Sequence, residues 1–362
     1  MKLPKFEVEQ WMTDYENDAV FNLTDTCIPA LTVNELLAMD EAGDFQNVRL
    51  DYGAITGDPR LKEEILKLYT TGDADNITTS QGCLQGNEMV METLLEAGDH
   101  VITFKPGYQA FCDYPKALGC TVTELSLYET QGWQPSLSDL EEAMKQDVKL
   151  IILNDPNNPT GARFNDAFVT RMIELAEEQG TWIMSDEVYR DPRYPSISDR
   201  YENGIATGSL SKMYSLAGLR FGWIKGPKDL IQKINERRDY SIISTGPLTD
   251  TLALIALTHK DELLERAQSV IQANRTVIQN WLDSEPACSV VLPEFCTVSF
   301  LKYDAEIYSK DLALDLLKQD GVFFVPGDCF FHENHLRLSL TADPEVMAKG
   351  LVILSRHLHR NG

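Results

Sequence analysis

Five short segments place polar side chains at turns or strand ends, the positions from which chemistry is usually done. The first is Gly208-Ser209-Leu210-Ser211-Lys212. A lysine just past a strand reaches a cleft, where its amine can form an imine with an aldehyde and then carry protons. Taken alone, Lys212 reads more readily as a solvated surface lysine. Its context argues otherwise. Arg220 follows eight positions on, inside the run Ala217-Gly218-Leu219-Arg220-Phe221-Gly222-Trp223. A cation entering an apolar strand needs an anionic partner, and a phosphate would serve.

The other segments add complementary groups. In Ser185-Asp186-Glu187-Val188-Tyr189, Asp186 ends the apolar run Trp182-Ile183-Met184. A carboxylate buried there suits a protonated ring nitrogen; the plainer alternative is a helix cap or a loop acid. Tyr189 can bond a phenolic oxygen on the same ring, or be a half-buried core tyrosine. In Asn154-Asp155-Pro156-Asn157-Asn158-Pro159-Thr160-Gly161, the prolines and glycine fix a turn. Asn158 precedes proline, which biases it to extended backbone and can aim its amide into a cleft. Gln81-Gly82-Cys83-Leu84 lies between a strand and a helix, where free backbone N–H groups suit phosphate and Gly82 permits close approach. Tyr108, in Pro106-Gly107-Tyr108, can stack on a planar ring or pack in the core.

Positioning these groups requires a framework, and the apolar pattern supplies one. It predicts strands at 76–80, 100–104, 121–126, 150–154, 181–186, 205–209 and 220–224. Helices are expected between them at 61–69, 84–97, 138–145 and 166–179. Strands alternating with helices imply a largely parallel α/β sheet covered on both faces. Ligands of such sheets sit at the carboxyl ends of the strands, where Asn158, Asp186, Ser209 and Lys212 fall. The last third reads as a smaller α+β domain. Helices are expected at 231–239 and from 250 to about 281, then a strand at 297–302, a helix at 310–319, strands near 322–325 and 335–340, and a helix at 344–359.

Composition narrows the partners. The chain has 362 residues, enough for two or three domains, and is 43% hydrophobic. A net charge of −24 opposes nucleic acid and anionic membranes as partners. Cys27, Cys83, Cys112, Cys120, Cys288, Cys296 and Cys329 form no CxxC pair, so no metal site is expected and reduced thiols are the simplest state. Residues 1–18 lack the apolar run of a signal peptide, and no stretch approaches the ~20 residues of a membrane helix. A cytoplasmic protein is expected.

Together these segments resemble the class I and II aminotransferases, pyridoxal 5'-phosphate (PLP) enzymes of the aspartate-aminotransferase-like fold. The resemblance runs from about Tyr52 to Arg337. It includes the spacings: 28 residues from Asn158 to Asp186 and 26 from Asp186 to Lys212. It implies a large domain, residues 46–245, with a mostly parallel seven-stranded sheet between helices. A smaller domain would take 246–362, with 1–45 as an N-terminal arm and part of it. By resemblance, Lys212 holds the cofactor as an imine and carries the proton, and Asp186 keeps the ring nitrogen protonated. Tyr189 and Asn158 bind the phenolic oxygen, and Tyr108 stacks on the ring. Gly82, Cys83, Leu84, Ser209 and Arg220 hold the phosphate. Asp51-Tyr52-Gly53 is similar to the segment whose tyrosine crosses to the neighbouring subunit's phosphate, implying a homodimer. His335-Leu336-Arg337-Leu338-Ser339 is similar to the strand whose arginine grips the substrate α-carboxylate, a geometry that suits a guanidinium fork.

The implied reaction moves an amino group between an L-amino acid and a 2-oxo acid. The chain departs from the pattern at Phe21–Pro29, where the usual Gly-x-Pro is absent and Asp25 is present. In this it resembles a branch whose members include cyclising enzymes acting on arginine derivatives. Asp25 is therefore expected to favour a cationic substrate side chain, and a C–S lyase or a cyclase of the capreomycidine-synthase kind is the alternative. Arg49, Arg163, Arg190, Arg237 and Arg238 leave dicarboxylate specificity open.

Overall fold

The stretch Leu150–Asn154 is buried at every position. Successive side chains on a strand point to opposite faces. Leu150 and Ile152 accordingly join one hydrophobic cluster, and Ile151 and Leu153 another. A strand buried on both sides belongs inside a sheet that helices cover on both faces. The computed structural model, which describes residues 2–43 and 45–360, places it there. Residues 1 and 44 of the expected N-terminal arm, and 361–362 at the other end, lie outside the described residues.

The large sheet runs in the order Ile77–Ser80, Gly222–Lys225, Gly204–Ser209, Trp182–Asp186, Leu150–Asn154, His100–Lys105, Thr121–Tyr128 and Gln134–Pro135. The first seven are the expected strands, and the two-residue Gln134–Pro135 adds an eighth. Gly222–Lys225 and Gln134–Pro135 run antiparallel to the strands beside them, and the pairs from Gly204–Ser209 across to Thr121–Tyr128 are parallel. Register pairs Asn154 with Asp186, and Gly222 with both Ser80 and Ser209. The polar strand ends therefore share one edge of the sheet.

The smaller domain is built on an antiparallel sheet, Cys288–Val290, Val298–Tyr303, His335–Ser339 and Val325–Pro326. Helix Ser309–Asp320 packs on it, and Pro344–Leu358 packs on that helix, on Lys260–Leu282 and on Phe21–Asn22. The N-terminal segment joins this part: Phe21–Asn22 pairs in parallel with Val322–Phe323, and Ser339 N donates to Leu23 O at 2.7 Å.

Four features depart from expectation. The helix expected to continue to about 281 is two helices, Pro247–Thr258 and Lys260–Leu282, broken at His259. Glu7–Tyr15 is helical, with Val8 and Trp11 buried. Ala110–Leu118 is helical despite Pro115, whose presence hid it. Arg220 lies before its strand, not in it, with φ +52 at the end of a 3-10 turn.

The two domains meet partly through an aromatic cluster. Trp133, beside the large sheet, packs against Phe300, His332 and His335 of the smaller domain, with ring centroids 5.5–5.8 Å apart. Burial first, and then the neighbouring His335, push the His332 imidazole down from 6.5 to about 4. The folded state thus binds this proton less readily than the unfolded chain. The stability of the neutral ring is complete above pH 6.5 and is lost as pH falls towards 4. The melting midpoint of wild type should therefore drop more across that window than that of His332→Leu. Equal drops would show that His332 is not the titrating group.

Candidate active site

At the carboxyl edge of the large sheet lies a cavity of about 450 Å³, roofed by the helix Glu7–Tyr15 and walled on one side by the smaller domain. Of the residues singled out from sequence, Cys83, Leu84, Tyr108, Asn158, Asp186, Tyr189, Ser209, Lys212, Arg220 and Arg337 all line it. Gly82 sits at its rim against Arg220. Two residues stand apart. Tyr52 is 66% exposed and outside the cavity of its own chain. Asp25 is exposed too, and its Oδ1 accepts from the backbone N–H groups of Thr26 and Cys27, at 2.6 and 3.0 Å. Asp25 is not among the residues that line the cavity, though it lies close enough to add to burial in raising the carboxyl of Glu16, which is among them. The Asp25 carboxylate caps its own turn, and the acids that line the cavity besides Asp186 are Glu9 and Glu16.

Asp186 is buried where its strand ends. Asn87 Nδ2 donates to its Oδ2 at 2.7 Å, and Val188 N to its Oδ1 at 3.1 Å. Asn87 is itself fixed by Thr207, whose Oγ1 donates to Asn87 Oδ1 at 2.6 Å. Burial pushes the Asp186 carboxyl above the usual carboxylate range, although these bonds and Lys212 oppose the shift. Among the described residues no cation lies within ion-pair distance of it. A desolvated carboxylate that lines a cavity without a counter-charge is a place for a cation on a ligand.

Asn158 is buried, and its Oδ1 forms no hydrogen bond. Its backbone is held by Asn154 Oδ1, which accepts from Asn158 N at 2.7 Å. The Tyr189 hydroxyl also makes no bond among the described residues. Buried polar atoms are nearly always partnered, so Asn158 Oδ1 calls for a polar ligand atom, one that the Tyr189 hydroxyl in the same cavity is free to share. Tyr108 lies under the N-terminal helix: its ring is 4.9 Å from that of Phe6, and its hydroxyl donates to Glu9 Oε1 at 2.9 Å.

The helix Gly82–Leu94 begins in the same wall, and its start has no side-chain cap. Its first N–H groups and positive dipole end are therefore available to an anion. A Cβ at Gly82, where φ is +78, would sit 3.0 Å from Arg220 Nη2. One at Gly222 would meet the Gly82 carbonyl carbon at 2.6 Å and Cys83 N at 2.8 Å. Glycine at both positions lets the exposed Arg220 guanidinium lie against the helix start. The buried Ser209 adds a hydroxyl.

The remaining two cations, Lys212 and Arg337, also line the cavity. Lys212 Nζ donates to Thr26 Oγ1 at 2.6 Å and has Cys27 Sγ at 3.6 Å. Arg337, on the strand His335–Ser339, gives Nε to Thr24 Oγ1 at 3.2 Å and Nη2 to Thr24 O at 3.0 Å. Its Nη1 bonds to nothing among the described residues.

PLP needs a counter-charge for a protonated ring nitrogen, partners for a phenolic oxygen, a phosphate cradle and an amine. The unpaired Asp186, the unbonded Asn158 and Tyr189, the Gly82–Arg220 cradle and Lys212 fit those needs. Sequence reasoning missed Asn87, Thr207, Thr24, Thr26, Glu9 and Glu16. The last two had a signal: Val8, Trp11, Met12 and Tyr15 recur at helical spacing. Asn87 and the threonines had none, because their value depends on what lies across the fold.

Comparison with known proteins agrees with this geometry. The family model for class I and II aminotransferases matches residues 22–354. A solved PLP-dependent aminotransferase from Streptococcus suis superposes with a TM-score of 0.95 at 37% identity, covering 100% of this chain and 99% of that one. Capreomycidine synthase from Streptomyces vinaceus is 26% identical over 98% of this chain and 94% of its own. A probable aspartate/prephenate aminotransferase from Aquifex aeolicus is 28% identical over 73% of this chain and 71% of its own. The chain belongs to the class I and II aminotransferase family, and it is a PLP-dependent enzyme.

Proposed function

We propose that the protein transfers an amino group between an L-amino acid and a 2-oxo acid at this cavity. The observation that carries the reading is the buried, uncompensated Asp186 carboxylate lining the same cavity as the Lys212 amine. When bound, PLP supplies an electron sink that stabilises negative charge at the substrate α-carbon. Asp186 keeps the ring nitrogen protonated, held on station by Asn87. Asn158 and Tyr189 bond the phenolic oxygen, and Tyr108 stacks on the ring. The start of the helix at Gly82, with Cys83, Leu84, Ser209 and Arg220, grips the phosphate. Lys212 Nζ would hold the cofactor aldehyde at rest; as a free amine it would take the proton from the substrate α-carbon and deliver it to the cofactor carbon to which it had been bonded. Arg337 holds the α-carboxylate through its open Nη1. The walls of the smaller domain and the N-terminal helix limit the access of water to this proton.

The active form is a homodimer in this reading. Tyr52 is exposed together with Leu50, Ile55, Tyr240, Ile243 and Leu248, an apolar set that supports burial against a second copy, with Tyr52 reaching the neighbouring phosphate. Seven unpaired cysteines support a reducing, cytoplasmic setting.

A second reading is cyclisation or C–S bond cleavage with the same apparatus. The likeness to capreomycidine synthase along nearly the whole chain favours it. Glu16 bears on the substrate in either case. Burial first, and then Asp25, raise its carboxyl above the usual range, which a cationic substrate side chain would relieve.

A half-reaction screen separates the two readings. Conversion of the loaded enzyme to its aminated cofactor form, with release of the matching 2-oxo acid, is expected; ammonia or a cyclised product with the cofactor unchanged would select the second. Lys212→Ala should lose the yellow absorbance of lysine-linked cofactor and all turnover; retention of that absorbance would refute the assignment. Arg337→Ala should raise KM for every α-amino acid by about 10–150-fold, the worth of a charge-assisted bond. An unaltered KM would remove Arg337 from the site. Glu16→Gln should narrow the preference for cationic over neutral side chains by roughly five-fold, as for a partly exposed ion pair. Asp25→Ala should change it less.

A further inference from the structure

The segment that stands in place of Gly-x-Pro is tied to both ends of the proposed reaction centre. Thr24 is fully buried. Its Oγ1 accepts from Val325 N and from Arg337 Nε, both at 3.2 Å, and its carbonyl accepts from Arg337 Nη2 at 3.0 Å. Two residues on, Thr26 is buried and its Oγ1 lies 2.6 Å from Lys212 Nζ. The backbone on either side of the pair is pinned. Thr297 Oγ1 donates to Thr26 O at 2.7 Å, and Ile28 N donates to Lys212 O at 3.0 Å. Leu23 N donates to Phe323 O at 3.1 Å.

We propose that Thr24 and Thr26 are positioning residues that set the distance between the carboxylate grip and the proton-carrying amine. The inference rests on the roles given above to Arg337 and Lys212. Thr24 occupies two guanidinium nitrogens and so fixes the direction in which Nη1 faces the cavity. Thr26 gives the amine a fixed station when it is not bonded to cofactor. Two residues of extended chain span at most about 7 Å. The separation of the two functions is therefore limited by covalent backbone, and not only by the packing of long side chains. A glycine at either site would supply neither hydroxyl. The thiol of Cys27, 3.6 Å from Nζ, does not replace the hydroxyl of Thr26, since sulfur is the weaker acceptor.

The two residues act on different kinetic constants, which makes the proposal testable with Thr24→Val, Thr26→Val and Thr26→Ser in the loaded enzyme. Thr26→Val should lower kcat, and the rate at which an α-deuterium label washes out, by about 10-fold or more with KM little changed. Thr26→Ser should restore most of both. In cofactor-free protein, Thr26→Val should also slow the attachment of added PLP, followed by absorbance. Thr24→Val should raise KM and the Kd of amino acids by about 10-fold, and leave binding of the corresponding amine, which has no carboxylate, unaltered. Thr24→Ala serves where valine prevents folding. If the variants change kcat and KM in the same proportion, or change neither, the proposal is overturned while the reading beneath it stands. If wild type forms no lysine-linked cofactor, that reading falls first and this proposal with it.

Discussion

A carboxylate buried at the end of a central strand is the constraint on which this site depends. Asp186 cannot be placed there cheaply, since desolvation disfavours its charge. The structure answers with a short chain of neutral donors. Thr207 fixes Asn87, and Asn87 fixes one carboxylate oxygen. These residues come from a neighbouring strand and from the helix Gly82–Leu94. The register of the sheet and the docking of that helix thus both converge on one side chain. The helix that steadies Asp186 is also the one whose start faces Arg220, so ring and phosphate ends of the ligand share a single rigid support.

The large sheet and its loops make only part of the cavity. Arg337 of the smaller domain closes another part, and Phe6, Val8, Glu9, Met12, Glu16 and Thr26 of the N-terminal segment supply the rest. Trp11 is buried and its indole N–H donates to Phe324 O at 2.9 Å. Phe21–Asn22 adds a strand to the smaller domain, and the next residues cross to Lys212. A segment bonded to both domains reports the position of each to the other. Any shift of the smaller domain would be felt at the amine through Thr24 and Thr26.

Sequence legibility followed the range of the interaction. The sheet was readable because a strand buried on both faces leaves a continuous apolar run, as in Leu150–Asn154, which ended where expected. Lys212, Asp186 and Asn158 were readable because each breaks such a pattern at a strand end. Arg220 was found, but its backbone was misjudged: the apolar run around it looked like strand, whereas a left-handed residue ends the turn before the strand begins. Asp25 is a different case. A short acid beside threonine and cysteine binds its own backbone as readily as a ligand, and that competition is invisible without coordinates.

The charges of the cavity narrow the substrate further. Its cations are Lys212, Arg220 and Arg337. The proposed chemistry gives each an occupation: the cofactor carbonyl, the phosphate and the α-carboxylate. A dicarboxylate would need a fourth, and the other arginines weighed from sequence do not line the cavity. Arg190 pairs with Glu187, and its Nη groups donate to the carbonyls of Tyr194 and Leu68. Arg238 is buried against Thr79 and Ile243. Arg163 lies over the Tyr194 ring, Arg237 pairs with Glu92 and Arg49 with Asp51. Within one chain, the groups left to meet a substrate side chain are the carboxylates Glu9 and Glu16. Glu9 is engaged by Tyr108, whereas the half-buried Glu16 has only Asn22 Nδ2, at 3.2 Å. In the reading proposed above, a side chain carrying positive charge is the one that this arrangement would attract, and a second carboxylate the one that it would repel.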